Sequence, residues 1–451
     1  MATDRLTLPR AVAAVFAPVD IASLAVLRIA IGVLMLVATL RFWAHGWIDE
    51  LLLAPTVHLP YWLPGVGSLW IEPLPAPAMY GLFAAMAVCA LLVALGWGYR
   101  IAIVGLLFGF VYVELVDATN YLNHYYAITL VLAFMAMTPL HGSWSIDALR
   151  RPRLRRAHVP AWMPAAVRLQ LAIVYGFAGL AKLHADWLQG TVLHMWLRTR
   201  VDTPVVGALL ADPGAAQAMA IAGAVFDLAI VPALLWSRTR AFAWIAVVLF
   251  HAITGLLFPI GMFPWIMIAL STVFFAPDWP RRWIRGGVAA PPRPVGARAR
   301  HWVVAALAVH FTIQLVLPLR SLAYPGDVRW HEQGMRWSWR VMLIEKTGIV
   351  DFVVTEPATG RTWRVDPAEE LTPRQAKMMA TQPDLVLAYA HLVRDRFRAR
   401  GLDVEVRAES FAALNGRPSR RFLDRRIDLA AVPDDLAPYE FVLPFTTSAD
   451  R

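Results

Sequence analysis

The feature that most limits what this chain can fold into is a series of apolar runs, each near the length needed to cross a bilayer. A helical span takes roughly 20 mostly apolar residues. Candidate runs occupy 21–40, 78–97, 100–117, 124–140, 166–183, 215–236, 241–258, 261–276 and 302–319. In hydrocarbon every backbone N–H and C=O must find a partner inside the protein, so such runs become helices. The gaps between the second and third runs and between the seventh and eighth are tight, which predicts two helical hairpins. Composition agrees. The 451 residues are 58% hydrophobic and only 16% charged, whereas a soluble domain has about 25% charged residues. The expected fold is a polytopic α-helical membrane protein with about nine transmembrane helices over 1–319 and a small C-terminal α+β extramembrane domain over 320–451.

Charge sets the orientation. Lys and Arg outnumber Asp and Glu by 42 to 32, a net charge of +10. The arginines cluster in alternate connections: Arg100; Arg150, Arg151, Arg153, Arg155 and Arg156; Arg238 and Arg240; Arg281, Arg282, Arg285, Arg293, Arg298 and Arg300. With a cytoplasmic N-terminus and nine spans, all of these fall on one side, as the positive-inside rule requires. The excess therefore reads as cytoplasmic loops and not as a nucleic-acid surface. The C-terminal domain is then outside the membrane. The N-terminal segment carries Arg5 and Arg10 but no cleavage pattern, so the first run is expected to remain as a signal anchor. High Ala and Arg content points to a GC-rich bacterial genome, and the expected location is then a bacterial inner membrane. The Trp- and Pro-rich loop 41–77 is expected to lie along the interface as an aromatic belt or lid. The segment 280–300, with Pro291, Pro292 and Pro294, reads as a cytoplasmic connector.

Past Arg320 the composition turns polar. Val350–Thr355 and Thr362–Val365 flank a Gly-containing turn and predict a β-hairpin. Thr372-Pro373 opens a helix as N-cap and first-turn proline, and Asp384–Arg400 forms a second one closed by Gly401. Val404–Ala413 and Pro418–Leu423 around Asn415-Gly416 suggest another hairpin. Cys89 is the one cysteine, so neither an intrachain disulfide nor a cysteine metal site can form. No His-rich metal motif is present, and no metal is expected.

Ionisable groups in or beside a span are costly and mark functional sites by default. Lys182 stands at the outer end of the fifth run. At helical spacing it shares a face with Tyr175, Gly179 and Asp186, and Gly176 and Gly179 allow close helix packing. It is either a lysine snorkelling to the interface or a desolvated general base. Asn123-His124 opens the fourth run, as a helix cap or as part of a site. His251 in the seventh run is a satisfied core histidine or a site residue, with Thr254 and Phe258 on its face. Asp227, midway along the sixth, must face other helices or water, and a basic partner for packing is the plainer reading.

Several strings together resemble the vitamin K-dependent gamma-carboxylase family and its broader horizontally transferred transmembrane domain (HTTM) relatives. They are Tyr121-Leu-Asn-His-Tyr-Tyr126, His158-Val-Pro-Ala-Trp162, Ile173-Val-Tyr-Gly-Phe-Ala-Gly-Leu-Ala-Lys-Leu-His-Ala-Asp-Trp187, and Phe250-His251 with Phe258-Pro-Ile-Gly-Met-Phe263. Ala276-Pro-Asp-Trp-Pro280 and Gly334-Met-Arg-Trp-Ser-Trp339 follow in family order, with a weaker match at Phe422-Leu-Asp-Arg-Arg-Ile-Asp428. The resemblance implies that Lys182 is the catalytic lysine, with Ala181 where animal enzymes have a first lysine. It implies that Asn123 and His124 are the family's catalytic Asn-His pair and that Arg198 faces the substrate carboxylate. It also implies that His251, with Tyr175 and Trp339, borders the substrate.

The activity implied is carboxylation of glutamyl side chains coupled to oxidation of reduced vitamin K, a naphthohydroquinone, to its epoxide. O2 and CO2 are co-substrates. Lys182 would deprotonate the quinol, the anion would react with O2 to give a strongly basic alkoxide, and that base would take a γ-proton so that the carbanion adds CO2. Partners would be a glutamyl peptide or protein, membrane lipid and the quinone, with no nucleic acid. The chain departs from animal members in lacking their disulfide and their longer lumenal portion that reads a propeptide. A quinol epoxidase or oxygenase without carboxylation is therefore an alternative, as is a membrane transporter or scaffold.

Overall fold

The computed structural model describes residues 10–63, 66–204, 206–284 and 296–445. Arg5, Arg285, Arg293 and the connector prolines Pro291, Pro292 and Pro294 lie outside the described residues. Each apolar run is a helix: α1 (Ala22–Ala44), α2 (Ala76–Leu95), α3 (Tyr99–Leu115), α4 (Asn123–Met137), α5 (Trp162–Ala181), α6 (Pro213–Leu235), α7 (Arg240–Leu257), α8 (Phe263–Ser271) and α9 (Ala297–Leu319). Among the described residues six helices are long and apolar enough to cross a membrane, namely α1, α2, α5, α6, α7 and the helical stretch containing α9. The other three are shorter, with 17 residues in α3, 15 in α4 and nine in α8. At about 1.5 Å per residue these three cover roughly 14–26 Å, so each would need flanking residues to cross the roughly 30 Å of hydrocarbon. The nine expected spans thus resolve into six full-length helices and three shorter ones. Extended Thr138 ends α4 at Met137, short of the expected end at 140, and a 3₁₀ turn (Thr272–Phe274) takes over where α8 stops.

Both predicted hairpins form. Between α2 and α3, Gly96 is left-handed (φ +63°), and a Cβ there would lie 2.8 Å from Arg28 Nη1. Arg28, fully buried on α1, donates to the carbonyls of Val93, Ala94 and Trp144, each at 2.6 Å. It thereby bonds the last carbonyls of α2 and ties them to Trp144 in the connection after α4. Alternation of the helices gathers Arg100, the arginines of 150–156, Arg240 and Arg281 at this same end, where Arg281 pairs with Asp20 at 2.6 Å. Outward-facing side chains of the bundle are apolar, and Ile101, Phe242 and Leu256 are 83%, 76% and 82% exposed. In water that surface would be a very large apolar patch; in lipid it is the matching solvent. The protein is an integral membrane protein.

The C-terminal domain caps the opposite end. Its antiparallel sheet has the order β2-β1-β3-β4, with β1 Lys346–Thr355, β2 Thr362–Val365, β3 Glu405–Leu414 and β4 Arg420–Arg421. Burial alternates along β3, sending Val406, Ala408, Ala412 and Leu414 inward onto α10 (Pro373–Met379) and α11 (Pro383–Arg398). Thr372 caps α10 and Gly401 follows α11 at φ +79°, both as the sequence predicts, and Thr372 also closes a capping box with Gln375. The loop 41–77 behaves differently from the expected belt or lid. Its Val57, Leu59 and Tyr61 enter the core of the C-terminal domain with Trp330 and Phe352. Gln375 Nε2 donates to Val57 O at 2.7 Å and Trp62 Nε1 to Asp434 O at 2.8 Å. The loop's apolar side chains and carbonyls find protein partners, so its middle is a piece of the domain.

Candidate active site

The site begins with a glycine. A Cβ on Gly179 of α5 would fall 2.7 Å from the Leu228 side chain and 3.2 Å from Asp227 Cβ, so only glycine lets α6 pass this closely. That approach brings Asp227 to Lys182, the residue that caps the C-terminus of α5. Lys182 Nζ stands 2.6 Å from Asp227 Oδ2 and 3.4 Å from Ala178 O, and the two side chains are 9% and 7% exposed. Unpaired, either charge would be prohibitively costly at this depth. The Trp187 ring, 5.3 Å from Nζ, adds a cation–π contact.

A second polar pair lies about two helical turns deeper along α5. Tyr175 of α5 and His251 of α7, both buried, share a hydrogen bond of 2.7 Å between the phenol oxygen and Nε2. Phe226 and Phe250 stack beside them at 3.9 Å. Both pairs open on one cavity of about 430 Å³. Its walls are mainly aromatic and aliphatic, and Val341 and Met342 line it from the segment that leads into the C-terminal domain. Ala222 on α6 and Ile253 on α7 line it too, and both are also exposed on the outside of the bundle.

Four of the predicted residues, Lys182, His124, Tyr175 and His251, therefore meet at one cavity. The other three do not line it. Asn123 accepts from Tyr121 Oη and donates to Arg340 O, each at 3.0 Å, pinning the start of α4 to the C-terminal segment. Arg198 is exposed on a 3₁₀ turn (Arg198–Arg200). Trp339 is fully buried and stacks on Tyr126 at 5.0 Å. Of the two glycines read as packing positions, Gly176 has open space where a Cβ would be, so the close approach belongs to Gly179.

Asp186 does not share a helical face with Lys182. The helix stops at Ala181, His184 is extended, and Asp186 lies in the short helix Ala185–Leu188. There its carboxylate accepts from Arg417 at 2.6 and 2.8 Å and from Asn415 at 2.6 Å. The Arg417 hydrogen bonds, opposed by burial, hold its carboxyl down at about 2. Asp186 thus ties the Asn415-Gly416 turn of the C-terminal domain to the bundle beside the cavity. Sequence reasoning left open which basic group Asp227 would meet, and it missed the aromatic walls at Trp187, Trp196 and Phe226. Their only signal was their proximity to Lys182 and Asp227 in the chain. Among the described residues no group of three or more His, Cys, Asp or Glu side chains is placed to hold a metal ion.

Two family models match the chain. One, described as the HTTM domain, covers residues 16–279. The other, described as the vitamin K-dependent gamma-carboxylase lumenal domain, covers residues 299–448. No solved structure matches. The first match takes in more than half of the 451 residues, and the two follow one another along the bundle and the domain that caps it. The chain belongs to the vitamin K-dependent gamma-carboxylase family.

Proposed function

We propose that this protein couples oxidation of a reduced naphthoquinone to its epoxide with carboxylation of glutamyl side chains, using O2 and CO2. The observation that carries this reading is the Lys182–Asp227 pair on the wall of a largely aromatic cavity, in a chain of this family. The cavity's volume falls within the roughly 300–1,000 Å³ of small-molecule sites, and its aromatic faces suit a flat bicyclic ring. When bound, the reduced quinone would supply, by its reaction with O2, a base strong enough to remove a γ-proton from glutamate.

The chain's own residues have definable tasks. Lys182 Nζ takes the quinol proton. Moving the pair's shared proton onto Asp227 leaves an uncharged amine at the cavity wall and adds no net buried charge. Tyr175 and His251 give a second polar point for orienting a ring oxygen. The His124 ring makes no hydrogen bond to another described residue and packs on Phe263, so its nitrogens are available to a ligand. Asn123 positions His124 through Arg340. Trp187, Phe226 and Phe250 exclude water, which would otherwise quench a strong base. The wall at Ala222 and Ile253 offers a lipid-soluble quinol a way in between α6 and α7. A glutamyl peptide would arrive over Val341 and Met342, meeting the exposed Arg198 on the way, while Trp339 buttresses α4 behind the site. In this reading the arginine-rich end is cytoplasmic, the cavity and C-terminal domain face the outside of a bacterial inner membrane, and the three shorter helices complete nine crossings.

Replacing Lys182 with Ala is expected to abolish epoxide formation from reduced vitamin K while quinol binding persists. An alanine variant that makes epoxide at the native rate would remove Lys182 from the chemistry. One observation favours a second reading, oxidation without carboxylation. Among the described residues no arginine lines the cavity, so a substrate carboxylate finds no guanidinium fork inside it.

A further inference from the structure

A second hollow, of about 110 Å³, lies between α1, α2, α3 and α4, and His124 lines it as well as the main cavity. Its wall carries Glu114 of α3, a carboxylate in a membrane helix whose one hydrogen bond among the described residues is from Thr129 Oγ1, at 2.7 Å. Charged and titratable neighbours come from every side: Arg41 on α1, Tyr61 in the loop after α1, Tyr121 and Tyr125 at the start of α4, and Arg374 on α10, which is exposed and bonds Asn120 at 3.2 Å. Neither arginine is ion-paired with Glu114 among the described residues. The hollow is roomy enough for several waters, each needing about 30 Å³ of liquid volume, and it ends at the outer surface where Arg374 stands.

We propose that His124 and Glu114 form a proton path from the main cavity, through this hollow, to the outer surface. The proposal rests on the oxidative reading above. Oxidation of a quinol by O2 to its epoxide yields one water, and replacing a γ-hydrogen by the carbon of CO2 leaves one proton over. That proton has to leave a cavity whose aromatic walls cannot solvate it. A histidine bordering both spaces passes it on, and a carboxylate without an ion partner receives it beside water.

The test uses the full chain in nanodiscs with reduced vitamin K, O2, bicarbonate and a short glutamyl peptide, following epoxide across pH. Glu114→Gln keeps an acceptor for Thr129, so the contact between α3 and α4 survives while the proton site is lost. Its kcat is expected to fall roughly tenfold or more, in line with the loss of an acid–base group. The quinol KM should be unchanged, the pH profile altered, and activity regained in Glu114→Asp. Thr129→Val should lower the melting temperature more than it lowers turnover. A Glu114→Gln protein with native turnover and a native pH profile overturns the proton path alone. A native protein that binds quinol and makes no epoxide overturns the underlying reading, and the path with it.

Discussion

At the scale of single residues, the account turns on two charges that hold each other in an apolar place. Lys182 and Asp227 lie 2.6 Å apart and almost wholly out of solvent. Asp227→Asn would leave the ammonium without a counter-charge, and breaking a buried pair from one side costs about 3–5 kcal/mol. The expected result is a clear drop in melting temperature in detergent, together with lost epoxide formation. Replacing both, as Lys182→Met with Asp227→Leu, is expected to restore the melting temperature and leave activity absent. That dissociation separates a chemical pair from a packing contact. An Asp227→Asn protein that melts like the native one would show that the pair is not formed.

At the scale of elements, the close crossing of α5 and α6 makes the site. Gly179→Val forces α6 away from α5, because the new side chain meets Leu228 and the Asp227 Cβ. It should lose quinol binding, measured by ligand fluorescence quenching, whereas Gly176→Ala, with open space around it, should bind as the native protein does. The six long apolar helices and the three shorter ones among the described residues were legible in the sequence because lipid demands apolar runs. Their ends were less so. Extended Thr138 shortens α4 and the 3₁₀ turn (Thr272–Phe274) shortens α8, and hydropathy does not register either feature. Likewise Asp186 has the right spacing for the Lys182 face, but the helix ends between them, and Arg417, 231 residues away in sequence, claims it. Lys182 and Asp227 were each visible as charges in apolar runs. Their pairing depends on which faces of two helices meet, and one sequence does not contain that relation. The loop 41–77 was misplaced for a similar reason, since its Trp and Pro content suits a membrane interface as well as it suits the core of a neighbouring domain.

At the scale of the molecule, the two ends differ in kind. One carries the short arginine-rich connections and the buried Arg28, and the other carries the cavity and the C-terminal domain tied down through Asp186. With Cys89 replaced by Ser, a cysteine at Arg151 should resist a membrane-impermeant maleimide in intact cells, and one at Ala358 should react. The reverse pattern would invert the proposed orientation. The coupling of two reactions in one cavity is the central claim, and it is tested most directly on the native protein in nanodiscs. Reduced vitamin K, O2, labelled bicarbonate and a glutamyl peptide are supplied, and epoxide and peptide-bound label are counted separately. The account predicts that both appear, in step with one another and dependent on Lys182. Label on the peptide with no epoxide, or neither product from protein that binds the quinol, would contradict it.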